Sequence, residues 1–137
     1  MDGDITRKDS TMKLAISKRD EAKYVPGRRS FFRYRDLGVT AGTSGRIRAQ
    51  VTSAISGMTE PTGWHRHLCE AQFVYVLKGW IDLEFEPGKT VRFGAGDSVM
   101  IPGGLPHQET ATSDDMELVE VSLPAEMGTE ACEPPRA

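Results

Sequence analysis

From Phe31 onward the chain keeps no apolar pattern for long; short β-prone runs are cut by glycine and proline before a second helical turn could form. A packed helix needs apolar residues recurring at a period of 3.6 over ten or more positions. No segment here offers that. Fourteen glycines and eight prolines, 22 of 137 residues, sit as punctuation between the runs. About seven to nine short strands separated by turn signals predict an all-β domain, a sandwich or a barrel.

The runs can be read individually. Leu14 and Ile16 alternate, which allows one short early strand. Ile47, Ala49, Val51 and Ile55 alternate with Arg46, Arg48, Gln50 and Thr52, as in a strand with one buried face. Ala71 to Leu77 is nearly continuous and reads as a central strand buried on both faces. Ile81, Leu83 and Phe85 face inward against outward Asp82, Glu84 and Glu86. Pro87-Gly88 fits the centre of a type II turn, with Val91 and Phe93 on the return strand. Val99 to Ile101 and Leu118 to Val121 complete the set. The expected organisation is a polar N-terminal extension over 1–24, its first dozen residues a loose tail, then one domain over 25–123. A frayed, proline-bearing tail over 124–137 follows.

A chain of this length holds one core. No apolar run approaches the ~18 residues of a membrane span, and Met1-Asp2-Gly3-Asp4 opens no signal peptide. Two cysteines, Cys69 and Cys132, make no disulfide framework, so a cytoplasmic location is expected. Net charge is −3 but uneven: residues 25–48 carry +5, and residues 49–137 carry −9. No recognition motif accompanies the arginines, so no nucleic-acid partner is expected. The basic stretch is expected to lie against acidic surface of its own chain or of a second subunit.

The three histidines carry the chemistry. His65 and His67, two apart, leave the same face of a strand and can converge on one ion. A third ligand must come from elsewhere in the fold, and His107 is the obvious candidate. Neutral imidazole suits iron, zinc, nickel and copper. Spacing alone leaves three surface histidines as an equal alternative.

The segment Gly63-Trp64-His65-Arg66-His67, followed by Gln72 and Gly79, resembles the first motif of the cupin superfamily, His-x-His, then usually Glu, then Gly. The segment Gly96-Asp97-Ser98-Val99-Met100-Ile101-Pro102-Gly103-Gly104-Leu105-Pro106-His107 resembles the second, Gly, five residues, Pro-x-Gly, two residues, His. Gln72 replaces the usual Glu, and Ala111 stands where an Asn often closes the second motif. The resemblance implies a cupin double-stranded β-helix, or jelly-roll, barrel with His65, His67 and His107 as ligands in its mouth. Pro102 and Gly104 would end a strand sharply so that His107 re-enters.

The resemblance further implies one divalent transition metal, ferrous iron first, with zinc, nickel and manganese as alternatives. Gln72 would be a fourth ligand or a hydrogen-bond donor to substrate. Tyr75 is, from the residues themselves, the other catalytic candidate, as a base or a pocket-lining side chain. Glu70 is a weaker candidate for the missing carboxylate. Arg48 is a candidate for a substrate carboxylate, although a solvated or intersubunit role is the plainer reading. A three-histidine site without a carboxylate favours anionic ligands. The expected function is therefore dioxygenase-type chemistry on a small anionic or enolisable substrate. A metal-dependent isomerase or lyase and a non-catalytic binding module are the alternatives. A homodimer is expected.

Overall fold

The computed structural model describes residues 12–136. In chain order the strands are β1 (Val25–Pro26), β2 (Phe32–Asp36), β3 (Arg48–Ala54), β4 (His65–His67), β5 (Ala71–Lys78) and β6 (Trp80–Glu86). They continue with β7 (Lys89–Gly94), β8 (Ser98–Pro102), β9 (Gln108–Thr112), β10 (Glu117–Leu123) and β11 (Thr129–Ala131). A four-residue helix, α1 (Val39–Gly42), and a 3-10 turn at Arg19–Glu21 are the helical pieces among the described residues. No described helix is long and apolar enough to cross a membrane.

One sheet has the order β1-β2-β3-β10-β5-β8, a second β7-β6-β9, and β11 pairs β4 as a small third. Both larger sheets contribute to one core. Val74, Val76, Leu118 and Ile101 from the six-stranded sheet pack with Ile81 and Leu83 from the three-stranded one, over Met58 and Met116. Val76 is wholly buried and Met116 nearly so. Each such side chain contributes about 1.5–3 kcal/mol relative to exposure.

Cross-strand register divides the inner face into layers. Leu118 faces Thr52 on one side and Val76 on the other, a largely apolar rung at the base. The next rung up is Gln50, Glu120 and Val74. The one above is Arg48, Ser122, Gln72 and Ile101. Directly paired residues share a face of the sheet, so the interior turns from apolar to polar along the strands. The polar end is the open one.

Two turns show why the glycines stand where they do. Gly88 has φ +78°, as the third position of a type II turn after Pro87 requires. Gly79, with φ +67°, carries the chain from β5 in one sheet to β6 in the other, and a Cβ there would strike the Ser113 and Asp115 side chains.

Several expectations need correction. β5 is buried on one face only; Phe73, Tyr75 and Leu77 point outward, 40–45% exposed, because only the opposite face meets the second sheet. β3 is the reverse case. Ala49 and Val51 are buried, with α1 packed against the strand, yet Gln50, Thr52 and Ser53 are buried too. The polar row of β3 therefore faces the interior rather than solvent. Asp82 on β6 is buried beneath Arg92, which bonds both carboxylate oxygens at 2.8 and 3.0 Å and lies 3.6 Å over the Trp80 ring. Leu14 and Ile16 form no strand and are 88% and 73% exposed. The C-terminal segment is not wholly frayed: β11 lies in it, and Ala125 is buried. The loose tail expected over the first dozen residues falls almost entirely outside the described residues.

Candidate metal centre

β4 holds His65 and His67 with the two-residue periodicity of a strand. Both side chains point inward and are buried, and Arg66 between them points out to Glu130, its Nε donating at 2.6 Å. His107 enters from the loop after β8. The amide of Gly104 donates to the carbonyl of His67 at 2.8 Å, and that of Gly103 to Glu70 at 2.9 Å. Gly103 must be glycine: a Cβ there would collide with the Cys69 carbonyl. These contacts clamp the second motif's loop onto the first motif's. His107 then pairs with His65 as an isolated antiparallel bridge.

The three histidines thus meet at one point, each offering a ring nitrogen within 4.8 Å of the others. Ring centroids are 4.6–5.2 Å apart. The other nitrogens are already committed. His65 Nδ1 donates to the Gly63 carbonyl at 2.8 Å and His107 Nδ1 to the Leu105 carbonyl at 2.9 Å. His67 Nδ1 lies 2.9 Å from Thr129 Oγ1 and 3.3 Å from the Gly128 carbonyl. A carbonyl only accepts, so the proton belongs on each Nδ1 and the Nε2 lone pairs face inward. Anchoring of this kind orients imidazole ligands around a metal.

Electrostatics hold two of the three imidazoles toward the neutral form. Burial, then the nearby His107 and His65, lower the His67 pKa to about 4. Burial also lowers that of His107. His65 behaves differently. Burial works against its charged form, but Glu109 outweighs it and raises the pKa. Glu109 Oε2 is 3.3 Å from His65 Nε2, within ion-pair range but without the alignment of a hydrogen bond. Burial alone would raise the Glu109 pKa, and its contact with His65 brings it below the ordinary value.

A cavity of about 320 Å³ opens onto this point. Its walls include His65, His67, Gln72, Glu109, Trp64 and Tyr34, with Arg28, Arg29, Arg48 and Glu120 around them. Gln72 is buried, and its Oε1 has no partner among the described residues. Three oriented imidazoles fit one divalent transition ion, and Gln72, with its unpaired amide oxygen, lines the same cavity as His65 and His67.

The sequence-predicted residues divide accordingly. The structure brings His65, His67 and His107 together, and Gln72 lines the cavity beside His65 and His67. Tyr75 lies on the other face of β5, exposed, and does not line the cavity. Glu70 is exposed as well. Cys69 is a buried free thiol whose pKa burial raises, outside the histidine cluster. Arg48 lines the cavity rather than standing in solvent, and Arg28 and Arg29 join it.

Sequence reasoning missed Glu109, Glu120 and Thr129. Glu109 had a legible signal: it lies two residues past His107 and faces inward beside buried Leu83, its cross-strand partner. Thr129 had none, because it reaches His67 only through the β11–β4 pairing, across about sixty residues of sequence.

The cupin domain family profile matches residues 55–122, the span that holds all three histidines. No curated protein sequence gives a significant match. Among solved structures, the chain is similar to the polyketide cyclase RemF from Streptomyces resistomycificus, at 22% identity and TM-score 0.72, covering 90% of this chain and 89% of that one. It is similar to KdgF from Halomonas sp., at 18% identity and TM-score 0.65, covering 80% and 94%. It is also similar to the Fe(II) form of HppE, at 19% identity and TM-score 0.63, covering 80% and 60%. At these identities the likeness concerns the fold. The profile match, this shared fold and the convergence of both histidine motifs on one point lead to one conclusion: the chain belongs to the cupin family.

Proposed function

We propose that this cupin is a mononuclear metal-dependent enzyme of the dioxygenase type, acting on a small anionic or enolisable substrate. One observation carries the reading: three buried, pre-oriented histidines, two of which line a cavity that three arginines also line. His65, His67 and His107 would hold the ion, ferrous iron by preference, with Gln72 as a further ligand or as a hydrogen-bond partner of the substrate. The ion supplies Lewis acidity and, if iron, the redox capacity that dioxygen chemistry requires. The chain's own residues do the rest. Positive side chains draw the anion in, the apolar rung at Leu118 and Val76 closes the floor against water, and Gln72 orients the bound molecule. The Fe(II) form of HppE, a structural neighbour, supports the choice of metal.

Glu109 favours a second reading. A carboxylate against the histidine cluster can take a proton from a bound enolisable substrate, which is isomerase or lyase chemistry. The two readings separate on one set of measurements. Protein purified without chelators is assayed for metal and reconstituted anaerobically with ferrous salt. It is then offered acetylacetone and pyruvate in an oxygen electrode and, separately, in deuterated water. One equivalent of metal with oxygen uptake supports the dioxygenase. Deuterium exchange faster than in protein-free buffer and lost in Glu109→Gln, without oxygen uptake, supports Glu109 chemistry. Failure to retain any metal leaves only the binding-module reading.

We also propose that two copies pair and that the protein works in the cytoplasm. Two free cysteines support the location. The outward Phe73, Tyr75, Leu77 and Met100 support the pairing.

A further inference from the structure

The polar end of the cavity has two poles. One is the histidine cluster. The other is Arg48, which shares a cross-strand rung with Gln72 through Ser122. Two strand spacings, about 10 Å, separate the two backbones, and both side chains point into the same space. Arg48 is poorly satisfied there. Its nearest carboxylate oxygen, on Glu120, is 3.8 Å away, and the Met127 sulfur is also at 3.8 Å. The sulfur is only a weak acceptor, and the Glu120 contact is a long ion pair rather than a close bidentate one. Its Nε is buried and has no partner among the described residues.

Glu120 does not compensate for this. It accepts from Gln50 Nε2 at 3.2 Å, and burial raises its pKa, which weakens it as a counter-ion. The other cavity carboxylate, Glu109, is engaged at the histidine pole. Arg29 donates to the Thr62 carbonyl at 3.1 Å in the same wall, and Arg28 stands at the exposed rim. A half-buried guanidinium whose one ion pair is this long, and whose Nε has no partner among the described residues, keeps donors free for a ligand. Its planar fork matches a carboxylate or a phosphate.

We infer that the substrate is bifunctional: it offers oxygen donors to the histidine pole and, separately, a carboxylate or phosphate that is seated on Arg48. This rests on the metal-dependent reading above and narrows it. A molecule with one anionic group, placed at the histidines, would leave the Arg48 Nε without a partner. The inference therefore selects ligands with two separated oxygen-bearing ends.

Calorimetric titrations test it on zinc-loaded and chelator-stripped protein with glutarate, butyrate and inorganic phosphate as probes. Wild type and two variants are compared. Arg48→Met keeps the aliphatic stem without the charge, and Arg48→Lys keeps the charge without the fork. Glutarate should bind loaded wild type at least tenfold more tightly than butyrate. Arg48→Met should lose that advantage while keeping its zinc, and Arg48→Lys should keep part of it. Stripped protein should bind both carboxylates weakly and alike, in an Arg48-dependent way. Phosphate bound more tightly than butyrate by stripped wild type, and not by Arg48→Met, would identify the seated group as phosphate. Glutarate affinity unchanged in both variants overturns the anion seat even if zinc is held. Loss of zinc from wild type with Arg48-dependent carboxylate binding intact overturns the metal reading and leaves the seat standing.

Discussion

His65 and His107 face each other through a reciprocal pair of backbone hydrogen bonds, each amide donating to the other's carbonyl at 2.9 Å. Residues paired in this way lie about 5.5 Å apart at Cα with side chains on one face. The bridge therefore sets the distance between the two motifs before any ion arrives. Because the backbone makes the bridge, His107→Ala should keep it. We expect that variant to lose stoichiometric metal while retaining its β-sheet circular dichroism and a cooperative melt. Metal content at the wild-type level would move the site elsewhere.

Thr129 holds His67 from the far end of the chain. Removing its hydroxyl with Thr129→Val keeps the strand shape but frees one side of the ring. Losing a partner that orients a ligand typically costs 10–100-fold in metal affinity. Competition with a chromogenic chelator should show a loss of at least tenfold, with the melting temperature little changed. Equal affinity would mean that the Gly128 carbonyl alone orients the ring.

Gln72→Glu changes the charge of the site without changing its shape. The variant should still bind metal, since the three imidazoles remain. It should bind carboxylate ligands more weakly, because an added negative charge faces them. Titration of loaded wild type and variant with glutarate checks this, and identical affinities would put Gln72 out of reach of the ligand.

Glu120 makes stability depend on pH. Burial raises its pKa in the fold, so the native state holds a proton that the unfolded chain releases near the ordinary value of ~4.3. Stability then falls as pH rises from the unfolded value through the raised folded one, and stays lower above it. Glu120→Gln removes that fall. Urea unfolding should show the variant more stable than wild type near neutral pH, with the difference gone at about pH 3, below both values. A constant difference across that range would show that the carboxylate ionises in the fold without penalty.

Leu118 closes the apolar floor below the cavity and is 2% exposed. Leu118→Ala should cost about 2–5 kcal/mol, as large-to-small core substitutions do. Its effect on metal affinity should be small, because the rung of Gln50, Glu120 and Val74 lies between it and the level of Gln72. A large loss of metal would mean that the floor and the site are one cooperative unit.

Much of this protein was legible in its residues. Alternation, turn chemistry and the two motifs are local properties, so the all-β fold, the Pro87-Gly88 turn and the three histidines could be read without coordinates. Period-2 spacing placed His65 and His67 on one face because strand geometry leaves no alternative. The sequence did not determine which face looks inward. The alternation of β3 fits either assignment, and only the second sheet decided that its polar row, Arg48 and Gln50, lines the interior. The same choice turned Tyr75 outward and Gln72 inward. Thr129 and Glu109 reached the histidines through pairings between distant strands, and such pairings are fixed by how the whole chain closes rather than by any local pattern.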